Sequence, residues 1–302
     1  MAVASVGGLG SENLLREGGL ALQWRIGFDK WIGRLLPLLY VVALLPIADM
    51  IYWIAVHALP TLTWATLTDT SVTNTHSLAV PIVGTFYIMV VATVVAVLLG
   101  LFGGIATAEF LPESVAGYAR TAANLLAGTP SVVIGYFGYF AFVLYFGWGL
   151  NLIAGAVTLA FFMLPYLFRT VDLAYTSVPR AIREAAYGQG ARPTQYLLRV
   201  ATPIAFPQVL NGVFLAMAIG VGETAPLFLT LQQGILIPTG LFQPASFLTG
   251  QIWENYTQPQ GSGGLALAFQ AAFILLIVVL GLNLVVRLIS GRFRKRLEGL
   301  FQ

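Results

Sequence analysis

The sequence predicts an all-α, polytopic membrane helical bundle of about six transmembrane helices, with both termini in the cytoplasm. Three observations predict it. Of 302 residues, 58% are hydrophobic and only 9% are charged, with a mean hydropathy of +0.85, whereas about a quarter of the residues of a soluble domain are charged. The apolar residues gather into runs close to the ~20 residues that an α-helix needs to cross a bilayer. All 15 Lys and Arg fall on one set of alternate connections, the asymmetry expected when those connections face the cytoplasm.

Residues 1–31 bear Gly, Ser and scattered basic groups and are expected to form a cytoplasmic tail, with a short amphipathic piece around Leu20 to Ile26. No signal peptide is expected, because the start is uncharged and no apolar core leads to a cleavage site. Residues 32–302 are expected to form a single bundle. Its spans are placed at 32–59, 80–108, 120–146, 150–168, 203–231 and 265–288. Asp49 in the first is expected to snorkel or bond internally. Gly147-Trp148-Gly149, with Asn151 just beyond, predicts a tight turn between the third and fourth spans. Pro81, Pro130, Pro165, Pro207 and Pro226 lie in or near spans, where kinks are tolerated if neighbours satisfy the freed carbonyls. Gly100 and Gly104 form a small-xxx-small pair suited to helix packing.

Orientation follows from the cations. Arg16, Arg25, Lys30 and Arg34 precede or open the first span, and Arg120 follows the second. Arg169, Arg180, Arg183, Arg192 and Arg199 surround the loop after the fourth, and Arg287, Arg292, Arg294, Lys295 and Arg296 close the chain. The loops 60–79, 147–151 and 232–264 hold none, which places them outside. Glu109 and Glu113 are read as marking the inner end of the second span. The Gly- and Pro-rich loop 232–264 is expected to be an irregular surface, with Trp253, Tyr256 and Asp69 or Glu254 available to a docking partner.

Several functions are excluded. The absence of cysteine removes disulfides and thiolate metal sites, and two histidines, His57 and His76, do not make a metal centre. No cofactor is expected. Neither Lys30 nor Lys295 sits in a Gly-x4-Gly-Lys-Ser/Thr arrangement, so the chain has no phosphate-binding loop for ATP. No His-Glu-x-x-His, Gly-x-Ser-x-Gly or paired catalytic carboxylate is present, and no catalytic residue is assigned. Basic residues are not interleaved with exposed aromatics, so nucleic acid is not an expected partner.

One polar excursion carries chemistry. In Glu184-Ala185-Ala186-Tyr187-Gly188-Gln189-Gly190, Pro179 can occupy the first turn of a helix, and Ala181, Ile182, Ala185 and Ala186 then share a face. Gly188 and Gly190 weaken that helix. Pro193 can start a second, with Tyr196, Leu197 and Val200 on its apolar side. The Glu-Ala-Ala triplet, Gly190 six residues after Glu184 and Pro203 thirteen after Gly190 resemble the EAA loop of bacterial ABC importer permeases. That resemblance implies that 177–203 is a coupling loop, with Glu184, Ala185, Ala186, Gly190 and Pro203 seated against an ATP-hydrolysing subunit. Val200 and Thr202 depart from the Ile and Leu usual in the family.

A second motif lies inside the membrane. Gly222-Glu223-Thr224-Ala225-Pro226 puts a carboxylate in the fifth span, where it is costly unless it faces a partner, a cavity or the bundle interior. Glu223 either lines a path or caps a broken helix. The stretch resembles the Gly-Glu-Thr-Ala-Pro signature of PstA-type phosphate permeases, and Gly128-Thr129-Pro130-Ser131-Val132-Val133 resembles that family's third-span segment. With Met163-Leu164-Pro165, Val178-Pro179 and the EAA loop, the resemblance covers about 80–288, the expected type-1 ABC transmembrane core. It implies a substrate pathway drawing on Glu223, Thr224, Pro226, Thr129, Pro130, Ser131 and Arg169. The family often places an arginine where this chain has Ile219, so the cation must come from elsewhere, such as a companion subunit or the half-helix N-terminus near Pro130.

The resemblance therefore implies a non-enzymatic permease of an ATP-driven phosphate importer. Its expected partners are a homologous second permease, two ATP-binding subunits, an extracytoplasmic phosphate-binding protein and membrane lipid. Sulfate or molybdate permeases are the nearest alternatives. An ion-coupled secondary transporter is a further one, although it predicts an internal repeat and several intramembrane ionisable groups.

Overall fold

The computed structural model describes residues 33, 35–37, 39–71, 77–259 and 263–298, with the side chains of 286, 287 and 289–298 excepted. The expected tail at 1–31, its amphipathic piece, Arg34, His76 and the side chains of the carboxy-terminal cations lie outside the described residues. The chain divides into two units, 1–56 and 57–302. Most of α1 (Leu35–Ala58) belongs to the first. Its side chains are exposed almost throughout, as suits a helix that is apolar on every side and meant for lipid.

The second unit is a helical bundle. It begins with α2 (Trp64–Thr68) and α3 (Ala79–Ile105), which a π-helical turn, Ala106–Phe110, prolongs. Next come α4 (Glu113–Ala127) and α5 (Ser131–Gly138), the latter running on as a π-helical stretch, Tyr139–Tyr145. α6 (Leu152–Thr176) and α7 (Arg180–Gly188) follow. α8 (Pro193–Tyr196) passes through a π-helical turn, Leu197–Ala201, straight into α9 (Thr202–Val221). The unit closes with α10 (Ala225–Thr230), α11 (Leu248–Tyr256) and α12 (Gly264–Glu298).

α6 is the central post, with Leu159, Met163, Leu167, Val171 and Ala174 almost wholly buried. Two features of its sequence start it cleanly. Gly147 and Gly149 take φ of +68° and +79°, conformations cheap only for glycine. Asn151 then accepts a hydrogen bond from the Ala154 N–H at 3.0 Å as N-cap. Lipid tails are as apolar as Leu, so helix association here relies on close packing rather than on escape from water. Gly100 and Gly104 supply it. A Cβ on Gly104 would lie 2.7 Å from the Val171 side chain, and one on Gly100 would lie 3.0 Å from Leu167, so α3 meets α6 almost backbone to side chain.

Among the described residues five helices are long and apolar enough to span, and the bent pair α4 and α5, counted as one span, makes a sixth. Several expected boundaries change. The third span is no single rod: α4 and α5 meet at 101° across Gly128-Thr129-Pro130. Proline removes a backbone donor and holds its predecessor out of the helical region, so the break is sharper than a kink. The fourth span runs past 168 to Thr176, because Val171, Ala174 and Tyr175 continue the buried stripe beyond the purely apolar run. The fifth starts at Pro193 rather than 203. A π-turn widens the helix just before Pro203, where Pro cannot donate to the preceding turn. The knuckle's second helix is thus the first part of the fifth span. The outer loop is not simply irregular surface either. It contains α11, and Ala245 to Gly250 are buried.

Candidate functional site

The two intramembrane motifs converge. The break at Gly128-Thr129-Pro130 points the start of α5 toward the break at Gly222-Glu223-Thr224, where α9 ends and α10 begins. Val132 and Tyr136 of α5 line one cavity with Gly222, Thr224 and Ala225, joining the third-span motif to the fifth. Gly135 permits that approach, since a Cβ there would lie 3.1 Å from both the Ala225 carbonyl and the Pro226 Cα. Thr129 turns its hydroxyl back to the Leu125 carbonyl at 2.9 Å, and Pro226 is buried in the first turn of α10. Among the described residues no Lys or Arg pairs with Glu223; the ion pairs lie elsewhere.

The outer segment stitches these breaks to the bundle. Thr249 donates to the Glu223 carbonyl at 2.9 Å, and the Leu248 N–H donates to the Thr85 hydroxyl of α3, also at 2.9 Å. A helix broken inside a membrane leaves carbonyls without donors, and Thr249 answers one of them. Beside the junction lies a cavity of about 750 Å³, lined by Val132, Tyr136, Thr224, Phe228, Thr249 and Trp253 among others. Thr224 therefore faces open space, whereas Glu223 is held partly buried beside it. On α11, burial pushes the Glu254 carboxyl up from its ordinary value.

Arg169 lies at the other end of the bundle. It is exposed in the middle of α6's final turns and shares a second cavity, about 270 Å³, with Arg120, Asn124 and Asp172. It does not approach Glu223's cavity.

At that same end stands the Glu-Ala-Ala loop. α7 has no buried residue. Ile182, Arg183 and Ala186 turn toward the bundle, while Ala181, Glu184 and Ala185 are exposed, so the expected four-residue apolar face is split between bundle and solvent. Gly190 ends the helix at φ +81°, and Pro203 stands exposed on the continuous α8–α9 helix. Glu109 and Glu113 are more than end markers. Arg183 donates to Glu109 at 2.7 Å and to the Tyr196 hydroxyl at 3.1 Å, and that tyrosine bond, ahead of the Glu109 charge, holds its pKa above the ordinary value. Arg120 donates to Asp172 through two nitrogens, at 2.8 and 3.1 Å, and to Glu113 through a third at 2.8 Å.

Sequence reasoning missed Asp172, Tyr196 and Thr249. The signal for Asp172 was present: a carboxylate three residues after Arg169 in an otherwise apolar stretch, with Arg120 unclaimed. Nothing comparable marked Thr249.

The chain matches the family described as "binding-protein-dependent transport system inner membrane component" over residues 100–298. The phosphate transport system permease protein PstA 2 of Mycobacterium bovis is 33% identical over 257 residues, covering 84% of this chain and 85% of that protein. The chain belongs to this family, in its PstA-type branch. A probable ABC transporter permease protein of Bacillus subtilis, YqgI, is 32% identical over 70% of the permease and 77% of its own length. The fold has solved counterparts. An inward-facing form of the MetNI methionine ABC transporter superposes with a TM-score of 0.59 at 16% identity, covering 72% of the permease and 97% of that chain. An amino acid ABC transporter with histidines gives 0.54 at 19% identity, over 71% and 92%. The permease is thus a multi-pass inner-membrane transport component rather than an enzyme, and it works in an importer that also comprises an ATPase and a binding protein.

Proposed function

We propose that the permease carries inorganic phosphate through the membrane in an ATP-driven importer. The meeting of the two helix breaks, with α5 packed on Ala225 and Pro226 at Gly135 and both segments lining one cavity, is the observation that carries this reading. It brings hydroxyls and the N-terminal end of α5 to the rim of a cavity, and a helix N-terminus is a ready site for an oxyanion. The Mycobacterium bovis relative, named a phosphate transport system permease, supplies the substrate. On this reading a homologous companion permease completes the path and contributes the cation that Ile219 does not. Two ATP-binding subunits dock on the loop 177–203 through Glu184, Ala185, Ala186 and Gly190, and a phosphate-binding protein delivers substrate from outside. Residues 32–302 form one permease bundle with its core at about 80–288, and both termini face the cytoplasm.

An unpaired carboxylate repels a phosphate dianion, so Glu223 belongs beside the path only if a cation crosses the subunit interface to meet it or its carboxyl is protonated. The test reconstitutes the permease with its companion, ATPase and binding protein and measures radiolabelled phosphate uptake per assembled complex. Phosphate uptake that sulfate and molybdate do not compete away is the expected result; uptake of either of those anions in its place overturns the assignment. Glu223→Gln keeps shape and hydrogen bonding, and it should impair uptake while leaving assembly intact. Normal uptake with poor assembly would make Glu223 a structural interface group instead.

A further inference from the structure

Among the described residues the coupling helix has a single side-chain polar attachment to the bundle, and that attachment has two ends. α7 buries no residue; its inward side rests on Ile182 and Ala186, with Arg183 between them. The Arg183 guanidinium grips Glu109 at 2.7 Å with one nitrogen and the Tyr196 hydroxyl at 3.1 Å with another, and its carbon stands 5.5 Å from the centre of the Tyr196 ring. Glu109 is no loose surface acid. Its side chain, on the π-turn Ala106–Phe110, is only 5% exposed. Tyr196 is 1% exposed and has the Tyr187 ring of α7 5.3 Å away. One side chain of α7 is therefore fixed at once to the last turn of the second span and to the first turn of the fifth.

From this geometry we propose that Arg183 is the positioning residue that transmits displacement of α7 to α3 and to the α8–α9 helix together, so that both spans move with the ATPase. The proposal rests on the coupling reading of the 177–203 loop. An apolar contact through Ile182 and Ala186 alone could slide, whereas a guanidinium held by a buried carboxylate and a buried phenol resists both translation and rotation, because each donor has a direction. Tyr196 also sits immediately before the π-turn Leu197–Ala201, so the fastening point on the fifth span is just ahead of its most compliant segment.

The experiment uses the full complex in liposomes. It compares wild type with Glu109→Gln, Arg183→Gln and the double variant, scoring ATPase recovered by pull-down, ATP hydrolysis stimulated by loaded binding protein, and phosphate uptake. Each single variant should keep ATPase binding and hydrolysis within about twofold while uptake per hydrolysed ATP falls about tenfold, the scale of a typical coupling free energy. The double variant should be no worse than Arg183→Gln alone, since Glu109 acts only through Arg183. Unchanged uptake per ATP in the single variants, or independent losses that multiply in the double one, would overturn the proposal. So would loss of ATPase binding in Arg183→Gln alone, which would place Arg183 on the ATPase rather than on Glu109. A Gly190→Trp control separates the two readings. If it uncouples while the Glu109 and Arg183 variants do not, only the transmission role fails; if it transports normally, the coupling assignment of the loop itself fails.

Discussion

Replacing Asp172 should loosen the joint between α4 and α6, and the size of the loss follows from how its partner is placed. Asp172 accepts from two nitrogens of Arg120, at 2.8 and 3.1 Å, with a side chain 12% exposed, whereas Glu113 meets the third nitrogen at 2.8 Å with a side chain 86% exposed. Breaking a fully buried pair costs about 3–5 kcal/mol because a charge is stranded. Arg120 is not stranded in that way. Its side chain is 31% exposed and keeps both water and Glu113, so screening reduces the expected loss for Asp172→Ala to about 1–2 kcal/mol. For a unit of this size that corresponds to roughly 3–6 °C in melting temperature, by analogy with soluble domains. Glu113→Ala should cost less than about 0.5 kcal/mol, as exposed pairs do. The assay is thermal denaturation of the detergent-solubilised complex followed by fluorescence-detected size exclusion. Equal shifts for the two variants would contradict this expectation, because only burial distinguishes the two acids that share one guanidinium.

Three further outcomes are expected. Gly190→Trp should insert and assemble normally yet lose ATP-dependent uptake, because φ of +81° strains any L side chain and the bulk falls on the proposed docking face; wild-type uptake with the complex intact would contradict it. Reporter fusions at Thr70 and Gln243 should read outside, and those at Ser114 and Gln195 inside. An inverted signal at Gln195 would remove the basis for ATPase docking. Burial raises the Glu254 pKa above its unfolded value, so the stability it lends to the seat of α11 is complete at acid pH and is lost as pH climbs through the raised value. Hydrogen exchange over Leu248–Tyr256, corrected for the intrinsic pH effect, should therefore quicken with pH more in wild type than in Glu254→Gln, and identical pH profiles would count against it.

What the sequence disclosed and what it withheld have physical reasons. Apolar runs locate membrane slabs well because the requirement is on length and composition, and each of the six regions holds a long apolar helix or the bent pair. They locate helix ends poorly. A helix continues as long as its backbone is satisfied and one side is packed, which is how α6 carries Arg169 and Asp172 beyond the apolar run and how α9 reaches back to Pro193. Pro130 announced a bend but not its 101°, since that angle is set by packing of α5 on α10 through Gly135. α11 was hidden by the Gly and Pro around it, although Leu248, Ile252 and Tyr256 recur at a spacing of four. Glu223 and the Glu-Ala-Ala loop were visible as chemistry out of place. The bonds that Thr249 and Tyr196 make to them were not, because a hydroxyl at a contact looks like any other hydroxyl in the sequence.

The fifth span links the two sites mechanically. From Pro193 to Val221 it is one continuous helix of 29 residues, a rod of about 40 Å at 1.5 Å per residue. One end, at Tyr196, is gripped by α7 through Arg183, and the other stops at the Gly222 break beside the α5 cavity. A stiff rod delivers motion at one end to the other without a chain of intermediate side chains. The compliant points can be identified: the π-turn at Leu197–Ala201, with Pro203 and Pro207 just after it, where interior donors are missing. A tilt imposed at Tyr196 is therefore divided between bending at these residues and displacement at Glu223, and a softer hinge leaves less for the substrate path. In the proposed importer, the prolines set how much of the ATPase stroke reaches the carboxylate, and Arg183 sets whether any of it enters the rod at all.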